Sequence, residues 1–281
     1  MRQLHAITEL ALRAAVTLLL AAVIVNASGA HAASADTKRL QQLASGPQRT
    51  AENKARDAAR HPVPVLAFLK VMPNSQVVEI LPGRDGYWTE ILAPYLRDYG
   101  RYTAAIPKAD PARAETMAAI AGLKDKLAAN PIYYQRVTTV DFVSAAPDLG
   151  PPASADFVLT FRNLHNWMAA GKADQVIVAI HKVLKKGGVL GIEEHRGLVD
   201  APQDPLAKTG YVRQDYAIAM IEKAGFKLSG SSEVNANLKD TKDYAAGVWA
   251  LPPSYRLKDQ DRAKFTAIGE SDRFMLKFVK Q

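Results

Sequence analysis

Cysteine is absent from the 281-residue chain. Disulfides, zinc–thiolate sites and a thiol nucleophile are therefore excluded, and the absence suits an oxidising compartment. No Gly-Lys-Ser/Thr follows a glycine turn, so there is no phosphate P-loop. The lack of Gly-x-Gly-x-x-Gly, and of an acid closing the second strand-like run, argues against a nicotinamide oxidoreductase. Clustered charge is missing too. Lys and Arg outnumber Asp and Glu by 36 to 28, a formal +8, but the excess is spread out, with only short pairs such as Lys185-Lys186. Without clustering or a reading motif, nucleic acid is not an expected partner. The spread charge fits solubility and weak attraction to acidic envelope polymers. Internal repeats are also lacking.

One long apolar run is present, "AAVTLLLAAVIV" at 14–25. It is shorter than the ~17–25 residues of a membrane-spanning helix. Arg2 and Arg13 flank the polar start before it and "SGAHAA" follows, with Ala30 and Ala32 at the small-residue positions of a cleavage site. Residues 1–32 therefore read as a signal peptide, and the protein as periplasmic or otherwise exported, with no stable membrane insertion after cleavage. Residues 33–48, rich in Ala, Ser and Gln, read as a flexible lead-in, and 49–281 as one large domain. Its first part, 49–71, is expected to hold short helices, with Thr50 capping the first and Pro62 opening the next.

From Gln76 the apolar period becomes that of strands. Strand-like runs fall at 76–81, 101–106, 132–140, 155–161, 188–194, 227–234 and 272–279. Helical patterns lie between most of them, at 87–97, 111–128, 172–185 and 213–224. This alternation predicts an α/β fold with a parallel sheet. The last run, "RFMLKFVK", alternates apolar and charged residues and follows a long polar segment, 235–270. That segment reads as a cap over the sheet edge, either a substrate lid or an ordered cover held by Asn and Asp turns.

The first strand runs into "VVEILPGRDGYW", 77–88. In doubly wound sheets such a turn presents backbone N–H groups to a ligand beyond the strand ends. Gly83 would allow close approach and Gly86 the turn into the helix, while Glu79 could accept from an ammonium or an amide. An ordinary strand-to-helix turn accounts for the same residues.

"RDAARHP", "VVEILPGRDGYWTEILAPYL", "FVLTFRNLHNW", "LKKGGVLGIEEHR", "TGYVRQDY", "AGFKLSGSSEVNANLKDTKDY", "GVWALPPSYR" and "IGESDRFMLKFVK" occur in that order. Together they resemble the exported class I S-adenosylmethionine-dependent methyltransferase-like proteins of bacteria, over about 56–280. The resemblance implies a Rossmann-like seven-stranded, mostly parallel sheet with an antiparallel last strand. It implies S-adenosylmethionine as cofactor and a small-molecule acceptor. It places Glu79 at the acidic position of the first motif, Gly83 at its central glycine and Asp141 at the adenine-contacting acid. Leu81 and Asp85 stand where the first and third glycines usually are, with Gly86 shifting the turn. "RYTAAIP" ends without the ribose-binding acid.

After the fourth strand, "TFRNLHNW" brings Asn163 and His165 as catalytic candidates able to polarise or deprotonate an acceptor. Trp167 is a candidate to shape the pocket. His165 hydrogen-bonding its own loop and Trp167 filling core are the alternatives. In "GIEEHR", alternation sends Glu194 and Arg196 to one side, as substrate contacts or an ion-pair rim, and Glu193 and His195 to the other. His165, Glu194 and His195 could together suit a metal in composition, but no helical His-x-x-x-His spacing supports one and none is expected. The leading function is methyl transfer to a small molecule in the cell envelope. The alternative is a non-catalytic binding protein on a degenerate methyltransferase fold.

Overall fold

The computed structural model describes residues 36–281. The expected signal peptide, 1–32, lies outside the described residues. Among those described, no helix is long and apolar enough to cross a membrane.

The described residues begin with helix α1 at 36–45, where the sequence predicts a flexible lead-in. Leu40, only 2 % exposed, packs into the core with Leu43 and Ala44 beside it. Spacings of three and four residues put the three on one helical face, which is why the segment is ordered. Three short helices follow: α2 (Ala51–Lys54), α3 (Asp57–Arg60) and α4 (Pro62–Leu69). Thr50 caps α2 through Asn53 N, and Pro62 occupies the first turn of α4. Both match the sequence reading, although the first expected helix is broken in two at Ala55–Arg56.

The sheet comprises β1 (Gln76–Ile80), β2 (Arg101–Pro107), β3 (Thr138–Phe142), β4 (Ala155–Phe161), β5 (Leu184–His195), β6 (Phe226–Ser232) and β7 (Arg273–Lys280). Their order is β3-β2-β1-β4-β5-β7-β6. The pairs from β3 across to β5 are parallel, and β7 runs antiparallel to both β5 and β6. This is the expected seven-stranded arrangement. One expected strand needs correction: 132–140 divides into helix α7 (Pro131–Tyr134) and β3, because Pro131 opens a helical turn.

Helices α5 (Thr89–Leu96), α6 (Ala114–Ala129) and α7 accompany the β1–β3 half. Helices α8 (Leu164–Ala169), α9 (Ala173–Val183) and α10 (Gln214–Lys223) accompany the other half. The central strands are buried on both faces, which explains their nearly continuous apolar runs. On one face Val78, Val158, Leu190 and Leu276 meet α9 and α10. On the other, Val77, Leu159 and Met275 meet α4 and α5. Strand order reverses between β1 and β4, so the carboxyl ends of these two strands border the crevice where such folds bind ligands.

Candidate active site

A cavity of about 280 Å³ opens at that switch point. The β1 turn forms one wall. Leu81 holds a left-handed backbone (φ +55°), in the position where the resembled family has glycine. A non-glycine residue pays about 1–2 kcal/mol for this conformation, so the turn holds a glycine-like shape at a cost. Gly83 is also left-handed (φ +77°), and a Cβ there would meet nothing within 4 Å. The position borders open space, as a ligand-approach glycine should. Gly86 does not line the cavity. A Cβ on it would stand 3.0 Å from Leu123 Cδ1, so its role is close packing of the turn on α6.

Glu79 lines the cavity but is buried and accepts a 2.5 Å hydrogen bond from the Tyr102 hydroxyl. Burial raises its carboxyl to about 8, against the smaller lowering effect of the Tyr102 bond. At neutral pH it is therefore mostly a protonated acid. Asp141 is exposed on β3 opposite Ile106 and lines neither this cavity nor the apolar chamber described below.

Beyond β4, the loop expected from sequence is in fact the start of α8, with Asn163 at its N-cap. Asn163 Nδ2 donates to Ile80 O and to Thr160 Oγ1, both at 3.1 Å. These bonds hold the ends of β1 and β4 together, so Asn163 positions the crevice rather than moving a proton. His165 faces the same cavity. Its Nδ1 lies 2.9 Å from Glu194 Oε1, and its backbone N donates to Glu194 Oε2 at 3.1 Å. Glu194 is 0 % exposed and also accepts from His195 N at 2.8 Å. A carboxylate receiving two backbone N–H groups acts as an acceptor, so His165 Nδ1 carries the proton and Nε2 is the basic nitrogen.

Glu193, Glu194 and His195 are all buried, which corrects the expectation of a solvated rim. Glu194 orients His165 and does not itself line the cavity. Arg196 points elsewhere, with Nη2 on Glu233 and on Arg273 O, and Nε 3.7 Å from Asp272. Trp167 is buried against Phe142, ring centroids 6.2 Å apart, and is core rather than pocket wall. The aromatic wall comes from Trp88, stacked 4.2 Å from Phe161, and from Trp249, set edge-on 5.9 Å from His165.

The segment 235–270 supplies the roof through Val248, Trp249 and Pro252 to Ser254. It is tied down by Asn235 on Glu193, by Asn237 on Ile268 O and Glu270 O, and by Asp240 on Tyr211. His195 Nδ1 meets Ser271 Oγ at 2.5 Å, its ring 5.2 Å from that of His165. Burial, then the nearby His165, Arg162, Arg273 and Arg60, push the His195 imidazolium well below its ordinary range, so it is neutral.

Sequence reasoning gave no role to Arg60 or Arg162. Both line the cavity and converge on Glu270 with Arg56 and Arg273. Arg162 carried a usable signal: a charged residue directly after the apolar run of β4, at a strand's carboxyl end.

No protein-family model matches the sequence, and neither does any curated protein. Solved structures do match in fold. A SAM-dependent methyltransferase from Aquifex aeolicus is 14 % identical, with 87 % of this chain and 98 % of that one covered at a TM-score of 0.55. The [4+2]-cyclase SpnF is 16 % identical, with 84 % of each chain covered at 0.56. Phosphoethanolamine N-methyltransferase 2 of Haemonchus contortus, in complex with S-adenosyl-L-methionine, is 12 % identical, covering 79 % of this chain and 52 % of that one at 0.52. One of the three is a cyclase, so the likeness speaks to architecture and not to reaction. The architecture is the Rossmann-like sheet of the class I methyltransferases.

Proposed function

We propose that the protein transfers a methyl group from S-adenosylmethionine to a small-molecule acceptor in the 280 Å³ cavity. One observation carries this reading. A histidine whose Nδ1 is fixed by a buried carboxylate stands at the switch point of a methyltransferase sheet. Bound there, S-adenosylmethionine would supply an electrophilic methyl group.

The residues fit that cofactor in kind. The Leu81–Gly83 turn separates the polar cavity from a small apolar chamber of about 50 Å³, lined by Ile106, Pro107, Ala119, Ile120 and Leu123. A polar and an apolar compartment on either side of one turn suit a ligand with an amino-acid end and a purine end. The apolar side holds a purine only if α6 side chains such as Leu123 move, and no ribose-binding acid closes β2. Binding is therefore expected to be weak.

The chain's own part in the reaction follows from geometry. Asn163 and Gly83 set the shape of the crevice, and Trp88, Phe161 and Trp249 exclude water. His165 Nε2 accepts the acceptor's proton, with Glu194 holding the ring in the right tautomer. The rest of the rate comes from proximity and orientation.

Replacing His165 by Asn should lower turnover on the true acceptor by ~10²–10⁴-fold, and, by taking one donor from the buried Glu194, lower stability by about 1–3 kcal/mol. An unchanged rate in the folded variant would remove His165 from the chemistry. A second reading, a binding protein without turnover, is favoured by the narrowness of the apolar chamber. Single-turnover transfer of a labelled methyl group separates the two. We place the protein in the cell envelope on the strength of residues 1–32, which amino-terminal sequencing of the envelope form checks: it should begin near Ala33.

A further inference from the structure

The arginines beside the cavity exceed what their own ion pairs need. Arg56 Nε, Arg60 Nε and Arg273 Nη1 lie 2.9, 3.2 and 2.8 Å from Glu270, and Arg162 Nη1 lies 3.8 Å from it. Glu193 is the second carboxylate, 3.5 Å from Arg273 and 3.9 Å from Arg162. It is shared with Asn235 Nδ2. Four guanidiniums thus face two carboxylates. Several of their N–H groups are buried without a hydrogen-bond partner: Arg56 Nη2, Arg60 Nη2, Arg162 Nε and Arg273 Nε. Arg60 is 3 % exposed, and it and Arg162 form part of the cavity wall. Buried donors of this kind are costly to leave unpaired, and a guanidinium is shaped to grip a carboxylate or phosphate through two oxygens.

We propose that Arg60 and Arg162 form a receptor for an anionic group, a carboxylate or phosphate, on the methyl acceptor. The assignment to an acceptor rests on the methyl-transfer reading; the anion receptor itself does not. Arg162 sits three residues before His165 and shares its cavity, so an acceptor anchored there would present its reacting atom to the proposed base. Burial, joined by the other guanidiniums, holds both Arg60 and Arg162 below the ordinary arginine range, and an added anion relieves that repulsion. The same charge argues against a cation at His165, Glu194 and His195, although their donor atoms lie within 4.8 Å of one another. The Glu194 oxygens are already engaged by His165 and by the amide of His195.

Arg162 is the residue to change, because its ion pairs are long and its side chain is 23 % exposed, so folding depends on it little. Inorganic phosphate is titrated into the wild type and into Arg162→Gln and Arg162→Lys at constant ionic strength, by calorimetry and thermal shift. Wild type should bind saturably. Arg162→Gln should weaken binding by at least ~10-fold, the effect of losing one charge-assisted hydrogen bond, and Arg162→Lys should restore part of it. A phosphate response that is absent, or the same in all three proteins, overturns the receptor.

A second arm repeats the titration with S-adenosylhomocysteine and with methylthioadenosine, which lacks the carboxylate. Phosphate binding that persists beside saturating S-adenosylhomocysteine supports an acceptor site. Competition by S-adenosylhomocysteine but not by methylthioadenosine would assign the arginines to the cofactor's carboxylate and overturn the acceptor claim. Failure of both nucleosides to bind, with phosphate binding intact, removes the methyl-transfer reading and upholds the receptor.

Discussion

Replacing Glu79 by Gln should stabilise the protein, and increasingly so as pH rises. The carboxyl titrates at about 8 in the folded chain against an ordinary value of 4.5, because burial disfavours its charged form. The unfolded chain therefore ionises first, and folding must take up a proton. Below pH 4.5 both states are protonated and the residue costs nothing. From 4.5 to 8, stability falls by about 1.4 kcal/mol per pH unit, reaching about 3 kcal/mol at pH 7 and about 5 kcal/mol above pH 8.

Glutamine removes this pH-dependent cost and can still accept from Tyr102 through its carbonyl oxygen. Any penalty for its new amide group, about 1–3 kcal/mol if unpaired, is independent of pH. The diagnostic quantity is thus the difference between variant and wild type, measured by urea unfolding at pH 5, 6, 7 and 8. Other titrating groups cancel in that difference. It should grow in favour of the variant by about 1.4 kcal/mol per unit. A flat difference would mean that Glu79 is ionised in the fold and free to meet a ligand ammonium, one of the roles its place in the turn allows. Burial would then not be what governs this carboxyl.

Glu270 behaves in the opposite sense. Burial alone would raise its carboxyl, but Arg60, Arg273, Arg162 and Arg56 outweigh that and hold it at about 2. Its stabilising contribution, about 3 kcal/mol, is complete above pH 4.5 and is lost as pH falls from 4.5 towards 2. The stability gap between wild type and Glu270→Gln should therefore shrink by about 1.4 kcal/mol between pH 4.5 and 3.5; an equal gap at pH 7 and 3.5 would count against it. Leu81→Gly should relieve the left-handed strain and remove the side chain that lines both chambers, tightening S-adenosylhomocysteine binding by calorimetry. Weaker binding would show that Leu81 is a contact surface and not an obstacle.

The sheet was legible because its central strands are buried on both faces, and runs such as "VVEI" and "FVLT" carry that burial in their composition. Elements marked by few apolar residues were not. Helix α1 rests on Leu40, Leu43 and Ala44 within an otherwise polar stretch, and α8 begins inside a motif that reads as loop. In the site, His165, Asn163, Glu79 and Gly83 could be placed because strand ends face the crevice. Partnership could not be read. Alternation sets Glu194 beside Arg196, yet it faces His165, because what engages a buried carboxylate is decided by tertiary packing. The arginine cluster was further out of reach, since Arg60 and Glu270 are 210 residues apart in sequence. Nothing local tells a basic side chain which distant carboxylate it will meet.

The placement of β7 bears on how the molecule comes into being. It is the last of the sheet's seven strands in chain order, yet it sits inside the sheet, flanked by β5 and β6. Until it arrives, those two strands have no partner between them and expose unpaired backbone, a state prone to association. Pairings of such long sequence separation are also slow to form. Glu270 and Ser271 lie two to three residues before β7, so the same late event brings in the carboxylate that gathers the arginines and the hydroxyl beside His195. A nascent chain stalled before residue 270 would own most of a hydrophobic core and none of a finished pocket. Messages truncated there should yield insoluble protein rather than a weakened fold.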